Sequence, residues 1–281
     1  MSGQAGPMGK IEKILLATDG SDYSKGAERE ALHLAKQCSS KLIAVSIVIT
    51  NLEFEVTMPQ FVDKEDKKTW EYLEAIKAQA LKEGIECDIT VSHGDEPYQD
   101  IVRHALENQV DLIIMGRHGR TGLVRLMMGS VAAKVIGHAP CNVLVVSPAA
   151  HVEFKNVLVA TDGSQYSEAA IREAISIAKR CNSSLVVISV ASLDAEIKSA
   201  EGNVKRAVEF AAKDGVKAEG LTVIGKPYEA IVNAVKQKHT DLIVVGSHGR
   251  RGLERLLMGS VTERVIGHSE TAVLIVKNVD V

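Results

Sequence analysis

The chain is 281 residues long, roughly two domains at the usual ~150 residues each. Hydrophobic residues make up 46% and charged residues 25%, which excludes wholesale disorder, collagen-like repeats and a membrane channel. A net charge of -3 provides no global basic field for nucleic acid or acidic lipid, and 4% aromatic residues argues against stacking platforms for single strands. In chain order, residues 1–10 read as a disordered leader carrying Gly, Gln and Pro, without the apolar centre of a signal peptide. Residues 13–18 are a continuous apolar run, the pattern of a strand covered on both faces. Residues 24–38 place Ala27, Ala31, Leu34 and Ala35 at helical spacing. A second strand covers 42–49. An amphipathic helix over 64–82 sets Trp70, Leu73, Ile76 and Ala80 on one face. A third strand covers 85–92. Pro97 opens a helix whose inner face is Ile101, Val102, Ala105 and Leu106. A fourth strand covers 111–115, a last helix begins over 130–137, and a fifth strand covers 141–146.

No apolar run approaches the ~20 residues that cross a bilayer. Cys38, Cys87, Cys141 and Cys181 form no C-x-x-C pair and have no zinc-finger spacing. They read as reduced, small hydrophobes of a cytoplasmic protein.

The chain then repeats itself. Ala17-Thr18-Asp19-Gly20-Ser21 recurs as Ala160-Thr161-Asp162-Gly163-Ser164, 143 residues on. Gly116-x2-Gly119-x9-Gly129-Ser130 recurs as Gly246-x2-Gly249-x9-Gly259-Ser260, 130 residues on. About 20 of 34 aligned positions are identical across 113–146 and 243–276. Most of the lost offset falls after the second strand, where 51–69 of the first repeat has little counterpart between Val190 and Asp194. The predicted architecture is two tandem Rossmann-like α/β domains, 11–147 and 153–281, joined by a linker at 148–152. Each is an open five-stranded parallel sheet with helices on both faces.

Ligands of such sheets bind beyond the carboxyl ends of the strands where strand order reverses. That directs attention to the loops after strands one and four. A glycine-rich turn aims successive N–H groups at one anion, and the helix that follows adds its unpaired donors and dipole. Ser130 and Ser260 add an N-cap hydroxyl. A phosphate chain suits this arrangement, although it is neither G-x-x-x-x-G-K-[ST] nor G-x-G-x-x-G. Asp19 and Asp162 read either as acceptors for ribose hydroxyls or an adenine amine, or as Asx-turn and capping residues. Arg120 and Arg250 read as phosphate partners or as solvated loop arginines. His118 and His248 lack the neighbours of a metal site, and no metal is expected. His138 and His268 suit helix C-termini. No paired carboxylates and no Ser/His/Asp set point to catalysis.

With these motifs the chain resembles the universal stress protein family, in the tandem form of its ATP-binding branch. The resemblance implies ATP or AMP laid across the ends of strands one and four, with Mg²⁺ on the phosphates as an open question. Ala17, Thr18 and Asp19 would meet adenine and ribose, and Ile47 would contact adenine through its backbone. Met115 and Gly116 would pass under the ribose, while Gly119, Gly129, Ser130 and Val131 would hold the phosphates. The matching second set is Ala160, Thr161, Asp162, Val190, Val245, Gly246, Gly249, Gly259, Ser260 and Val261. The short segment after Val190 leaves the covering of the second adenine site open. Family members commonly pair through strand five, and the apolar edges 143–146 and 273–276 need cover. Pairing within one chain is expected, and a further homodimer stays open. The reading is a nucleotide-binding regulator in a stress response, against two alternatives: a slow ATPase or nucleotidyl-transfer enzyme, and a nucleotide-independent dimerisation scaffold.

Overall fold

A computed structural model describes residues 6–119, 128–249 and 258–277; within 52–57 the side chains of 52, 54 and 55 are not described. The first repeat runs β1 (Lys13–Ala17), α1 (Lys25–Cys38), β2 (Lys41–Ile49), α2 (Leu52–Thr57), α3 (Pro59–Lys82), β3 (Cys87–Gly94), α4 (Pro97–Glu107), β4 (Leu112–Gly116), α5 (Ser130–His138) and β5 (Asn142–Val146). The second runs β6 (Asn156–Ala160), α6 (Gln165–Cys181), β7 (Ser184–Ala191), a 3-10 turn at Asp194–Glu196, α7 (Ile197–Lys213), β8 (Ala218–Ile224), α8 (Pro227–Gln237), β9 (Leu242–Gly246), α9 (Ser260–His268) and β10 (Ala272–Val276).

The strands form one ten-stranded sheet in the order β3-β2-β1-β4-β5-β10-β9-β6-β7-β8. Every pairing is parallel except β5 with β10, which sets Leu144 opposite Leu274 in antiparallel register. Strand residues alternate between two cores, because successive side chains point to opposite faces. Ile14 and Leu16 join α1, α3, α6 and α7 on one face, while Leu15 and Ala17 join α4, α5, α8 and α9 on the other.

Three local expectations change. Helix α3 starts at Pro59 rather than 64, with Pro in its first turn, and its buried stripe is Thr69, Leu73, Ile76 and Ala80. That i, i+4, i+7, i+11 series leaves Trp70 beside the stripe and 40% exposed. On α4 the buried face is Ile101, His104 and Ala105, and Leu106 is 57% exposed. The described part of the leader, 6–10, is packed: Met8 is buried in the core and Arg180 Nε donates to Pro7 O at 3.0 Å.

His104 lies within 2.7 Å of Ser92 Oγ through Nε2. Burial, and then the Arg103 charge, hold its pKa below the ordinary 6.5. The unfolded chain therefore binds a proton that the folded chain refuses, and stability falls as pH drops below about 6.5. The Tm-versus-pH profile of His104→Gln should be flatter than wild type between about pH 6.5 and 5. Parallel profiles would remove His104 from the account.

The seam between the repeats is closed by two cations, the buried Arg117 and the half-buried Lys277. Arg117 Nη1 donates to Ile266 O, Gly267 O and Ser269 O at 3.3, 3.1 and 2.8 Å. Lys277 Nζ donates to Ile136 O and Gly137 O at 2.8 and 3.2 Å. Each repeat thus caps the carboxyl end of the other's last helix, where unpaired carbonyls and the dipole favour positive charge. The equivalent positions are Ser247 and Ser147, so a sequence comparison of the repeats hides the exchange.

Candidate functional site

Strand order reverses between β1 and β4 in the first repeat and between β6 and β9 in the second. At the first point, Thr18 N continues the ladder to Val45 O at 3.0 Å, and the chain then turns. Asp19 Oδ1 accepts from Ser21 N at 3.0 Å and Ser21 Oγ at 2.7 Å. Asp162 Oδ1 accepts from Ser164 N at 3.0 Å. The Asx-turn is therefore made in both repeats, and Gly20 and Gly163 supply its left-handed residue at φ +74° and +78°. This turn fixes where the other carboxylate oxygen goes. A β-carbon on Gly119 would lie 3.0 Å from Asp19 Oδ2, and one on Gly249 would lie 2.7 Å from Asp162 Oδ2.

The remaining motif glycines serve the same end. A β-carbon on Gly116 would meet Tyr23 O at 2.8 Å, and one on Gly246 would meet Tyr166 O at 2.6 Å. Gly129 N donates to Arg117 O at 3.0 Å and Gly259 N to Ser247 O at 2.9 Å, which folds the helix start back over the β4 and β9 loops. None of these six glycines has a positive φ, so close approach of backbone, rather than turn geometry, is what the missing side chains provide.

Helices α5 and α9 begin one residue earlier than an N-cap role for Ser130 and Ser260 requires. Gly129 (φ -65°, ψ 145°) and Gly259 (φ -68°, ψ 137°) hold the cap positions, and no side chain caps either helix. Ser130 and Ser260 are exposed first-turn residues. A glycine cap lets the first N–H groups face outward beside Gly119 and Gly249, with a positive dipole end behind them. The apolar floor lies on one sheet face. Ala17, Ile47, Met115 and Val131 pack into the same core as Ala160, Val190 and Val245. Val261 is 37% exposed and stands outside that floor.

The model of the universal stress protein family matches residues 10–147 and again 153–277. The chain belongs to the universal stress protein family. A universal stress protein of Methanocaldococcus jannaschii is 35% identical over 139 residues, covering 48% of this chain and 81% of its own. One of Bacillus subtilis is 36% identical over 147 residues, covering 48% of this chain and 99% of its own. Each relative thus aligns with one half of the tandem. A crystal structure of a universal stress protein from Archaeoglobus fulgidus shares the fold across the tandem. Its TM-score is 0.77 at 23% identity, covering 94% of this chain and 98% of that one.

In this universal stress protein Thr18 and Thr161 turn away from the apolar floor. Thr18 Oγ1 donates within reach of Ser24 Oγ (3.0 Å) and Glu28 Oε1 (3.1 Å), and Thr161 Oγ1 lies 3.1 Å from Ser167 Oγ. Their hydroxyls are committed to α1 and α6 on the other sheet face. Arg120 and Arg250 lie outside the described residues. The His118 ring stands edge-on to Tyr23 with centroids 6.0 Å apart, and His248 lies 5.2 Å from Tyr166. Burial, and then the Arg117 charge, lower the His118 pKa. His138 and His268 each donate Nδ1–H to the carbonyl four residues back, Lys134 O and Arg264 O, at 2.8 Å. Tyr23 and Tyr166, unremarked in the sequence, recur at the same offset as the aspartates, and that recurrence was the available signal.

Proposed function

We propose that each repeat, 11–147 and 153–281, binds one adenine nucleotide, and that the protein acts as a nucleotide-dependent regulator in the stress response. The observation that carries this reading is a line of groups made twice: carboxylate, bare glycine backbone, glycine-capped helix start. Asp19 Oδ2 faces Gly119, Gly119 N lies 3.9 Å from the β-carbon position of Gly129, and α5 starts there. Asp162, Gly249, Gly259 and α9 repeat it, with 3.6 Å at the last step. A carboxylate accepts from ribose hydroxyls, and outward N–H groups with a dipole behind them suit phosphates.

The base would lie against Ala17, Ile47, Met115 and Val131, and in the second repeat against Ala160, Val190 and Val245. Gly116 and Gly246 would pass under the ribose. Ser130 and Ser260 would offer their hydroxyls from the first helical turn. The ligand of this reading is ATP or AMP. Among the described residues no three His, Cys, Asp or Glu side chains gather to hold a metal ion. An accompanying Mg²⁺ would therefore be held chiefly by phosphate oxygens.

Mass spectrometry of small molecules released from the purified, denatured protein tests the reading. The expected result is an adenine nucleotide, close to two per chain after saturation. Calorimetry that detects no heat with ATP, ADP or AMP at about millimolar ligand, on demonstrably folded protein, ends it.

A further inference from the structure

The two repeats differ on the sheet face away from the proposed nucleotide cradles. In the first repeat Tyr72 of α3 reaches under the β1 loop. Its hydroxyl is bonded to Glu28 Oε1 and lies 3.2 Å from Thr18 Oγ1, and its ring is 3.4 Å from the β-carbon position of Gly20. Lys25 Nζ sits 4.6 Å above the same ring. The helices align without gaps on Gly84 and Gly215, and on Arg29 and Arg172, which puts Asn203 where Tyr72 is and Ile171 where Glu28 is. The phenol and its carboxylate partner are both missing from the second repeat. In their place α6, α7 and the β6 loop line a half-open cavity of about 220 Å³. One water needs only ~15 Å³ of such space.

The lining has a definite chemistry. Thr161, Ile171, Asn203 and Ala207 are buried and form the floor. Phe210 supplies an aromatic wall at the rim, and Arg172 and Arg206 also line the cavity. Arg206 Nη2 donates to Asn203 Oδ1 at 2.7 Å, which holds that fork against the cavity. Glu168 is the one carboxylate of the lining, so the two arginines leave it net positive. A planar guanidinium matches a carboxylate with two parallel hydrogen bonds. In the first repeat Arg29, aligned with Arg172, is instead spent on the linker carbonyl of Ala150.

We propose that this cavity is a second kind of ligand site, confined to the second repeat and built for a small aromatic carboxylate. The ring occupies the place that Tyr72 fills in the first repeat, and the carboxylate meets Arg206 and Arg172. The cavity lies on the α6/α7 face, opposite the apolar floor of Ala160, Val190 and Val245, and it stands whether or not the cradles bind nucleotide.

The test is a titration of the full-length ¹⁵N-labelled chain with benzoate, and with uncharged benzamide, followed by amide shifts up to about 20 mM. Benzoate should shift amides around Gly163, Ile171 and Ala207 saturably and leave Gly20, Glu28 and Ile76 unmoved. Benzamide should bind at least about tenfold more weakly, as should benzoate to Arg206→Gln, a substitution at an exposed position. Asn203→Tyr, which restores the ring of the first repeat, should abolish the shifts. No saturable shift with benzoate overturns the proposal. So does equal binding of benzamide, or benzoate binding that Arg206→Gln leaves unchanged.

Discussion

Gly249→Val is expected to leave the chain folded with one of its two proposed nucleotide sites weakened about 10- to 150-fold, and adding Gly119→Val to weaken the other as well. The first atom of a side chain at Gly249 would stand 2.7 Å from Asp162 Oδ2, and at Gly119 3.0 Å from Asp19 Oδ2. Both distances are below van der Waals contact, and a branched side chain cannot turn its β-carbon away. The carboxylate must swing, which breaks the bond from Ser164 N that sets its direction. The new methyl groups also cover the backbone that a phosphate would approach. Losing one charge-assisted contact of this kind costs ~1.5–3 kcal/mol, or about 10- to 150-fold in affinity at that site. The glycines lie in loops beyond the strand ends, so the buried ladders of β1, β4, β6 and β9 stay as they are. Calorimetric stoichiometry reads the outcome. Two full-affinity sites in the double variant would break the link between these glycines and the ligand.

Arg117→Met lowers stability more than any exposed ion pair of this protein can. Arg117 is 7% exposed and serves three carbonyls at the carboxyl end of α9, besides approaching Glu270 Oε1 at 3.4 Å. Methionine matches the length and apolar stem but leaves those carbonyls without a donor in a region water barely reaches. A buried acceptor stripped of its partner costs ~1–3 kcal/mol, and three share this one. A loss of about 3 kcal/mol corresponds to roughly 6 °C in Tm for a chain of this size. The melting curve of the variant against wild type gives the answer. A change below about 1 °C would mean that the seam holds without the cap.

Much of this was legible beforehand, for identifiable reasons. Strands such as β1 and β4 are buried on both faces, so their composition alone marks them. The glycine spacing survives in both repeats because each position closes a backbone contact, and spacing is what a sequence records well. Side-chain direction was less readable. Trp70 and Leu106 are apolar and stand at helical spacing, yet Thr69 and His104 take the inward positions, because the phase of a stripe is set by the neighbouring sheet and not by hydrophobicity. Thr18 sits in the motif, but strand alternation and the α1 hydroxyls draw it to the opposite face. Ser130 looks like a cap, and Gly129 already has the extended backbone a cap needs. Arg117 carried no signal at all, since its partners are carbonyls about 150 residues away.

The antiparallel rungs between β5 and β10 have a geometric consequence. They reverse strand polarity at the middle of the sheet, so the carboxyl edge of one half points opposite to that of the other. Five strand spacings separate β1 from β6, roughly 24 Å at ~4.8 Å each. On the proposed reading no single small molecule would bridge both cradles, whose mouths open away from each other. Coupling between the two proposed sites would have to cross the central ladder, where Val143, Leu144 and Val145 face Ile275, Leu274 and Val273.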